Sequence, residues 1–374
     1  MAIQMCDLLG QYRKIQQEVD DAISKVITDT AFINGPQVRK FKANLEKYTG
    51  AKHVITCGNG TDALQISLMA LGLQPGDEVI VPAFTYVAAA EVIGLLKLIP
   101  VMVDVDPRSF NISLANIERG LTSKTKAIIP VHLFGQSCPM EEIMNFALKN
   151  NLYVVEDNAQ ALGTRYQFSD GSEKQTGTIG HIGCTSFFPS KNLGCFGDGG
   201  AIMTEDDELA EKLRMITMHG QKVKYHHEVL GCNSRLDTLQ AAILDVKLKY
   251  LDEYAQSRYQ AAQIYHDGLK GISGIEIPQE MPYSTHVYHQ YTLKIKNGKR
   301  DKLKQYLAEK SIPSMIYYPL PMSEQPAFRN IAKAAESLHI SKELSSSVLS
   351  LPMHTELTKK EQEIIISAIK SFFE

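Results

Sequence analysis

The stretch Val54-Ile55-Thr56-Cys57-Gly58-Asn59-Gly60-Thr61-Asp62-Ala63 opens as an apolar run and breaks into small polar residues before a helical pattern, Asp62–Leu71, takes over. The same switch recurs downstream. Glu78-Val79-Ile80-Val81 precedes the helix-like Tyr86–Leu96, and the extended Pro100–Val103 comes next. Ala127-Ile128-Ile129-Pro130-Val131 precedes Met140–Leu148, and Leu152-Tyr153-Val154-Val155 follows. Strands that are apolar without alternation, separated by helices, predict an α/β fold with a mostly parallel sheet sandwiched by helices. Ligands of such sheets gather beyond the carboxyl ends of the strands, so the residues just after each run are where chemistry belongs.

The chain as a whole agrees. Its 374 residues exceed what one core usually fills, so two domains are expected. We place a large domain at 1–245, with an N-terminal segment free to pack on its neighbour, and a small C-terminal α+β domain at 246–374. Leu244, Leu248 and Leu251, at i, i+4 and i+7 beside Asp245, Lys247, Lys249 and Asp252, predict an amphipathic connecting helix. Beyond it Gln290–Ile295 alternates like a strand covered on one face, Asn297-Gly298 turns the chain, and Lys302–Glu309 reads as a helix that Pro313 ends. Met315–Tyr318 looks extended and Lys360–Phe373 helical.

Several classes of partner are disfavoured. A net charge of −3 offers no basic field for nucleic acid. The longest oily stretch, Val92 to Val105, is interrupted by Gly94, Lys97 and Pro100, so no membrane span is expected. The amino end shows no basic and apolar export signal. Cys6, Cys57, Cys138, Cys184, Cys195 and Cys232 form no C-x-x-C pair and read as reduced thiols. A cytoplasmic protein is the expectation. His226-His227 and His286-Val287-Tyr288-His289 lack the spacing and carboxylate company of a zinc site, so no metal is expected. Asp170-Gly171 reads as a solvent-facing turn.

Three segments carry candidate chemistry. Gly58-Asn59-Gly60-Thr61-Asp62-Ala63 lies between strand and helix, where backbone N–H groups and the helix amino end attract phosphate. It also satisfies the G-x-G-x-x-A dinucleotide spacing, but the next strand ends in Pro82-Ala83-Phe84 with no acid to hold a ribose. Glu156-Asp157-Asn158-Ala159-Gln160 sets carboxylates at the end of a buried strand; a helix cap would be the ordinary reading. Lys191 stands between the apolar Phe187-Phe188 and the turn Gly197-Asp198-Gly199-Gly200, and a desolvated lysine becomes a nucleophile toward a carbonyl. Alone, each has a structural explanation. Together they are the parts pyridoxal phosphate requires: a lysine to bond its aldehyde, an acid for its ring nitrogen and a turn for its phosphate. Tyr86, after the second strand, can lie flat on the ring.

From Phe32-Ile33-Asn34-Gly35-Pro36 to Leu351-Pro352-Met353-His354 the sequence resembles the fold-type I sugar aminotransferases of the StrS/DegT family. Within it the likeness is to UDP-2-acetamido-2-deoxy-3-oxo-glucuronate aminotransferases, through Gly60-Thr61-Asp62-Ala63-Leu64-Gln65, Thr185–Lys191 and Asn233-Ser234-Arg235-Leu236-Asp237-Thr238-Leu239-Gln240. The resemblance implies that Lys191 bonds the cofactor, Asp157 meets the pyridinium nitrogen, Gln160 lies near the ring hydroxyl and Tyr86 stacks. It implies phosphate contacts from Gly60, Thr61 and Ser186, and from Asn233 reaching across from a second subunit, hence a homodimer with shared sites. Arg235 would meet a substrate carboxylate, with a structural ion pair as the alternative. Relatives often read His-Tyr-Pro where this chain has Tyr317-Tyr318-Pro319, a loop implied to face the sugar.

The function expected is transfer of an amino group from glutamate to the keto group of a nucleotide-linked sugar, at C3 of a UDP-2-acetamido-3-keto-glucuronate-type substrate, for surface polysaccharide biosynthesis. Two other readings stay open: a nicotinamide-dependent nucleotide-sugar oxidoreductase using the Gly58–Ala63 turn, and a non-catalytic sensor that binds pyridoxal phosphate.

Overall fold

The apolar runs become the strands of one sheet in a computed structural model that describes residues 3–374. In chain order these are β1 (His53–Cys57), β2 (Glu78–Pro82), β3 (Ile99–Val103), β4 (Thr125–Ile128) and β5 (Tyr153–Asp157). A surface hairpin of β6 (Arg165–Gln167) and β7 (Glu173–Gln175) precedes β8 (Ile182–Ser186) and β9 (Gly200–Thr204). A second hairpin, β10 (Gln221–Val223) with β11 (His226–His227), stands apart. The large sheet has the order β1-β9-β8-β5-β4-β2-β3-β14, where β14 is the short Lys333–Ala334. Every pairing from β8 to β14 is parallel, and β9 alone runs against its neighbours β8 and β1. A separate three-stranded antiparallel sheet joins β12 (Ile275–Glu276), β13 (Tyr291–Ile295) and β15 (Val348–Leu351).

Helices cover the sheets. The amino end supplies α1 (Leu8–Lys14), α2 (Gln16–Asp29) and α3 (Pro36–Thr49), the crossovers supply α4 (Gly60–Ala70), α5 (Ala88–Leu95), α6 (Leu114–Gly120) and α7 (Met140–Lys149), and α8 (Asp207–Thr217) follows β9. Then come α9 (Thr238–Leu248), α10 (Leu251–Leu269), α11 (Arg300–Glu309), α12 (His339–Ser347) and α13 (Lys359–Phe373). Ile80, Val81, Met102, Ile128, Val154 and Ile202 are sealed from solvent between helix layers, and each contributes roughly 1.5–3 kcal/mol of burial. Tyr265, Tyr291, Leu293, Leu349 and Ile365 form a second cluster around the small sheet. The C-terminal stretch does not stay with that cluster: Met322, Phe328, Leu338 and Leu344 pack into the large core, and β14 adds to its sheet edge.

Three local expectations change. The helix through Leu244, Leu248 and Leu251 breaks into α9 and α10, and Asp245 and Lys247 are buried instead of facing water. Packing between α3 and the glycine turn makes this tolerable because both charges find partners: Asp245 meets Asn44 and Lys40, and Lys247 donates to the Gly194 carbonyl. β13 is buried on both faces: Tyr291, Leu293 and Ile295 pack in the small core on one, while on the other Thr292 bonds the Ser350 hydroxyl at 2.8 Å and only Lys294 is partly exposed. Finally, α11 stops at Glu309, where Ser311 takes a left-handed φ of 59°, before Pro313 is reached. The turn at Asn297-Gly298 forms with φ of 58° and 64°, and Asp170-Gly171 is exposed with Gly171 at 85°.

Candidate active site

The carboxyl ends of β1, β2, β4, β5 and β8 converge on a cleft of about 480 Å³. Gly60, Thr61, Tyr86, Asp157, Gln160, Ser186, Lys191, Tyr317 and Tyr318 all line it. Residues as far apart in sequence as Asn59 and Tyr318 are thus brought to one place by strand order and by the loops that follow the strands.

The floor at one end is the start of α4. Asn59 is extended and its Oδ1 accepts the Asp62 N–H at 2.8 Å, which nucleates the helix with Gly60 and Thr61 turned to the cleft. First-turn N–H groups have no intrahelical partner and carry partial positive charge. A Cβ on Gly60 would stand 2.7 Å from the Ser186 Cβ, so the end of β8 and the start of α4 approach as closely as only glycine allows.

At the end of β5, consecutive carboxylates leave on opposite faces of the sheet. Asp157 enters the cleft, where Oδ1 accepts the Ala159 N–H at 3.0 Å. Burial pushes its pKa up, opposed by that N–H and by the charge of Lys191. Glu156 points away into a fully buried socket. Its Oε2 accepts from His132 Nε2 at 2.8 Å and from the Gly177 N–H at 2.8 Å; Oε1 accepts from Ile179 at 2.7 Å and Gly180 at 2.6 Å. His132 Nδ1 accepts the Cys138 N–H at 3.0 Å, which leaves Nε2 as the nitrogen that donates to Glu156. Burial opposes ionisation of Glu156, yet His132 and the backbone donors hold its carboxyl below the ordinary range.

Lys191 follows the tight turn after β8, with its own N–H on the Phe188 carbonyl at 2.8 Å. Desolvation brings its amine down to about 8, with Asp157 pulling the other way. Gln160 is locked from both ends: Oε1 accepts the Phe134 N–H at 2.8 Å and Nε2 donates to Tyr318 Oη at 3.1 Å. The Tyr86 ring, 55% exposed, leans toward Tyr318 with centroids 6.1 Å apart.

Two of the sequence candidates are elsewhere. Asn233 is exposed and Arg235 lines a separate groove with His53, Asp207 and Arg214, outside this chain's own cleft. Conversely, His289 and Thr85 also line the cleft: nothing in the spacing marks His289, whereas Thr85 lies just beyond β2, where the strand-end rule points. His289 is buried and kept neutral by burial and by the nearby charges of Lys191 and Arg258, and its Nδ1 has no partner. Thr85 Oγ1 is likewise buried without a partner. Among the described residues no cluster of three or more His, Cys, Asp or Glu could hold a metal ion, and no helix is long and apolar enough to cross a membrane.

These residues fit pyridoxal phosphate. The glycine-lined approach of α4 to Ser186 leaves a cradle of N–H groups for a phosphate, and Asp157 and the desolvated amine of Lys191 line the same cleft, close enough for each charge to act on the other. They do not fit a dinucleotide. The sheet order puts β9, β8, β5 and β4 between β1 and β2, so the Gly58–Ala63 turn does not lead into a neighbouring parallel strand.

Residues 13–370 match the DegT/DnrJ/EryC1/StrS aminotransferase family. The chain belongs to that family. It is 45% identical to a pleiotropic regulatory protein of Geobacillus stearothermophilus, over 100% of this chain and 99% of that one. It is 43% identical to the UDP-2-acetamido-2-deoxy-3-oxo-D-glucuronate aminotransferase of Pseudomonas aeruginosa, over 98% and 99%. Among solved structures, ntda from Bacillus subtilis with bound cofactor PMP superposes with a TM-score of 0.88 at 31% identity, over 96% of this chain and 82% of that one. This member of the family is an aminotransferase with the fold-type I architecture, and pyridoxal phosphate is its cofactor.

Proposed function

We propose that this aminotransferase moves an amino group from glutamate to a keto group of a nucleotide-linked sugar, at C3 of a UDP-2-acetamido-3-keto-glucuronate-type substrate, in the cytoplasm and for surface polysaccharide biosynthesis. The Pseudomonas aeruginosa relative supports the choice of sugar. The observation that carries the transamination reading is the desolvated amine of Lys191, facing Asp157 across one cleft.

When bound, pyridoxal phosphate supplies a conjugated ring that takes up electrons from the donor's α-carbon. Asp157 keeps a proton on the ring nitrogen. The N–H groups of Gly60 and Thr61 and the Ser186 hydroxyl would hold the phosphate, Gln160 would meet the ring hydroxyl, and Tyr86 would cover the ring face. With a pKa near 8, Lys191 Nζ is unprotonated in roughly a tenth of molecules at pH 7. It takes the proton from the α-carbon of glutamate, and in the reverse half-reaction returns one to the sugar carbon. Such a positioned amine is worth roughly 10²–10⁴-fold in rate. Tyr317 and Tyr318 line the sugar side of the cleft. Asn233, exposed and outside its own cleft, serves the phosphate of a partner subunit in a homodimer, and Arg235 meets the carboxylate of the uronate or of glutamate.

The test is direct. Mixed with glutamate and the 3-keto sugar nucleotide, the wild type should form amino sugar and 2-oxoglutarate, and Lys191→Ala should lose turnover together with the absorbance of lysine-linked cofactor. Retained transamination in Lys191→Ala sinks the assignment.

A further inference from the structure

Two motifs that stand 172 residues apart, the start of α4 and the segment Asn233-Ser234-Arg235, touch through a single hydroxyl. Ser234 Oγ accepts the Gly58 N–H at 2.9 Å and donates to Asp62 Oδ2 at 2.6 Å. Ser234 is 1% exposed, and its own N–H is spent on the Thr217 carbonyl at 3.1 Å, so the hydroxyl has no freedom to serve elsewhere. Only a hydroxyl can accept from an amide and donate to a carboxylate at once in so small a space. A Cβ on Gly58 would lie 3.0 Å from Asp62 Oδ2 and 3.3 Å from Ser234 Oγ, which shows how tightly the three groups are set.

The placement has a consequence. Asp62 sits in the first turn of α4, the same electropositive turn whose Gly60 and Thr61 line the cleft where a phosphate would bind. A loose carboxylate there would compete with a phosphate for those donors. Ser234 holds it aside. On either side of Ser234 are Asn233, exposed, and Arg235, in a groove of its own.

We propose that Ser234 and Asp62 are positioning residues that couple each subunit's phosphate cradle to the Asn233 segment which that subunit offers to its partner. This rests on the homodimer reading of Asn233 given above. A phosphate drawing on the first-turn N–H groups shifts the Gly58–Asp62 turn, and Ser234, bonded at both Gly58 and Asp62, passes that shift to Asn233, so filling one cleft tightens the other. The coupling must be reciprocal, because the two sites share one free-energy term.

The experiment titrates the full-length, cofactor-free protein with pyridoxamine phosphate, followed by fluorescence, with sedimentation run in parallel. The wild type should sediment as a dimer and bind more steeply than a single-site hyperbola. Ser234→Ala should bind roughly ten-fold more weakly, as loss of a buried charge-assisted partner predicts, and its isotherm should flatten to a hyperbola while the dimer persists. Ser234→Thr, which keeps the hydroxyl, should restore both. Asp62→Ala, which cuts the same link but leaves no carboxylate to compete for the donors, should also flatten the isotherm while losing less affinity, and the double variant should flatten it no further, which gives a second route if Ser234→Ala does not fold. Unchanged binding in Ser234→Ala overturns the proposal. So does weaker binding with the steepness intact, for Ser234 is then a local prop, and so does a hyperbolic wild-type dimer. A monomeric wild type overturns the homodimer reading and this coupling with it.

Discussion

Lys191 and Asp157 are both displaced from their ordinary titration by the same cause. Burial disfavours charge on each, pushing the amine down to about 8 and the carboxyl up, and each charge partly rescues the other. Labelling of Lys191 in the cofactor-free protein by an amine-directed reagent should therefore reach half its maximum rate near pH 8, well below a surface lysine. In Asp157→Asn the midpoint should fall further, because the anion that favours the ammonium is gone; a rise would contradict the pairing. The sign for stability follows. The unfolded lysine binds its proton up to about 10.5 and the folded one only to about 8, so between those values stability rises with pH, and below them the full penalty is present. Lys191→Met should stabilise the cofactor-free protein at pH 7, by at most about 3 kcal/mol, and the gain should shrink toward pH 10 in denaturant unfolding.

At the scale of elements, the end of β5 does two jobs with adjacent acids. Asp157 serves the cleft, and Glu156 clamps residues 177–180, ahead of β8, through three backbone N–H groups and His132. Since Ser186 ends β8 and Lys191 follows it, the clamp sets the height of the site. Glu156→Gln would set an amide donor against those N–H groups; we expect a loss of about 3 kcal/mol in urea unfolding and faster amide exchange at 177–180. The strand itself was legible, because Leu152–Val155 is an apolar run with acids at its end. The division of labour was not, because alternation says that two consecutive side chains diverge but not which one meets solvent or ligand. The same limit applies to α9, whose charged Asp245 and Lys247 read as a solvated face until α3 and the glycine turn were packed against it.

Across the whole molecule, the amino end stitches the large sheet's helices to the small sheet. Ile3 packs on the small cluster, Met353 N–H bonds the Met5 carbonyl at 3.3 Å, Gln11 Nε2 donates to Thr355 at 3.3 Å, and Lys14 pairs with Glu356 at 2.7 Å. Removing residues 1–15 should therefore lower the thermal midpoint and raise amide exchange at residues 353–358, with the central strands β2, β4 and β5 unaffected. The sequence by itself determined the alternation of strand and helix and the parallel sheet, and it marked Lys191, the acid pair at the end of β5 and the Gly60 turn as candidates, because each is a local matter of periodicity, of chain flexibility or of a side chain's own chemistry. Tertiary structure alone decided that four strands stand between β1 and β2, that His289 enters the cleft, and that Ser234 closes on Asp62. Those depend on strand order and on contacts between residues more than a hundred positions apart, and no local pattern encodes them.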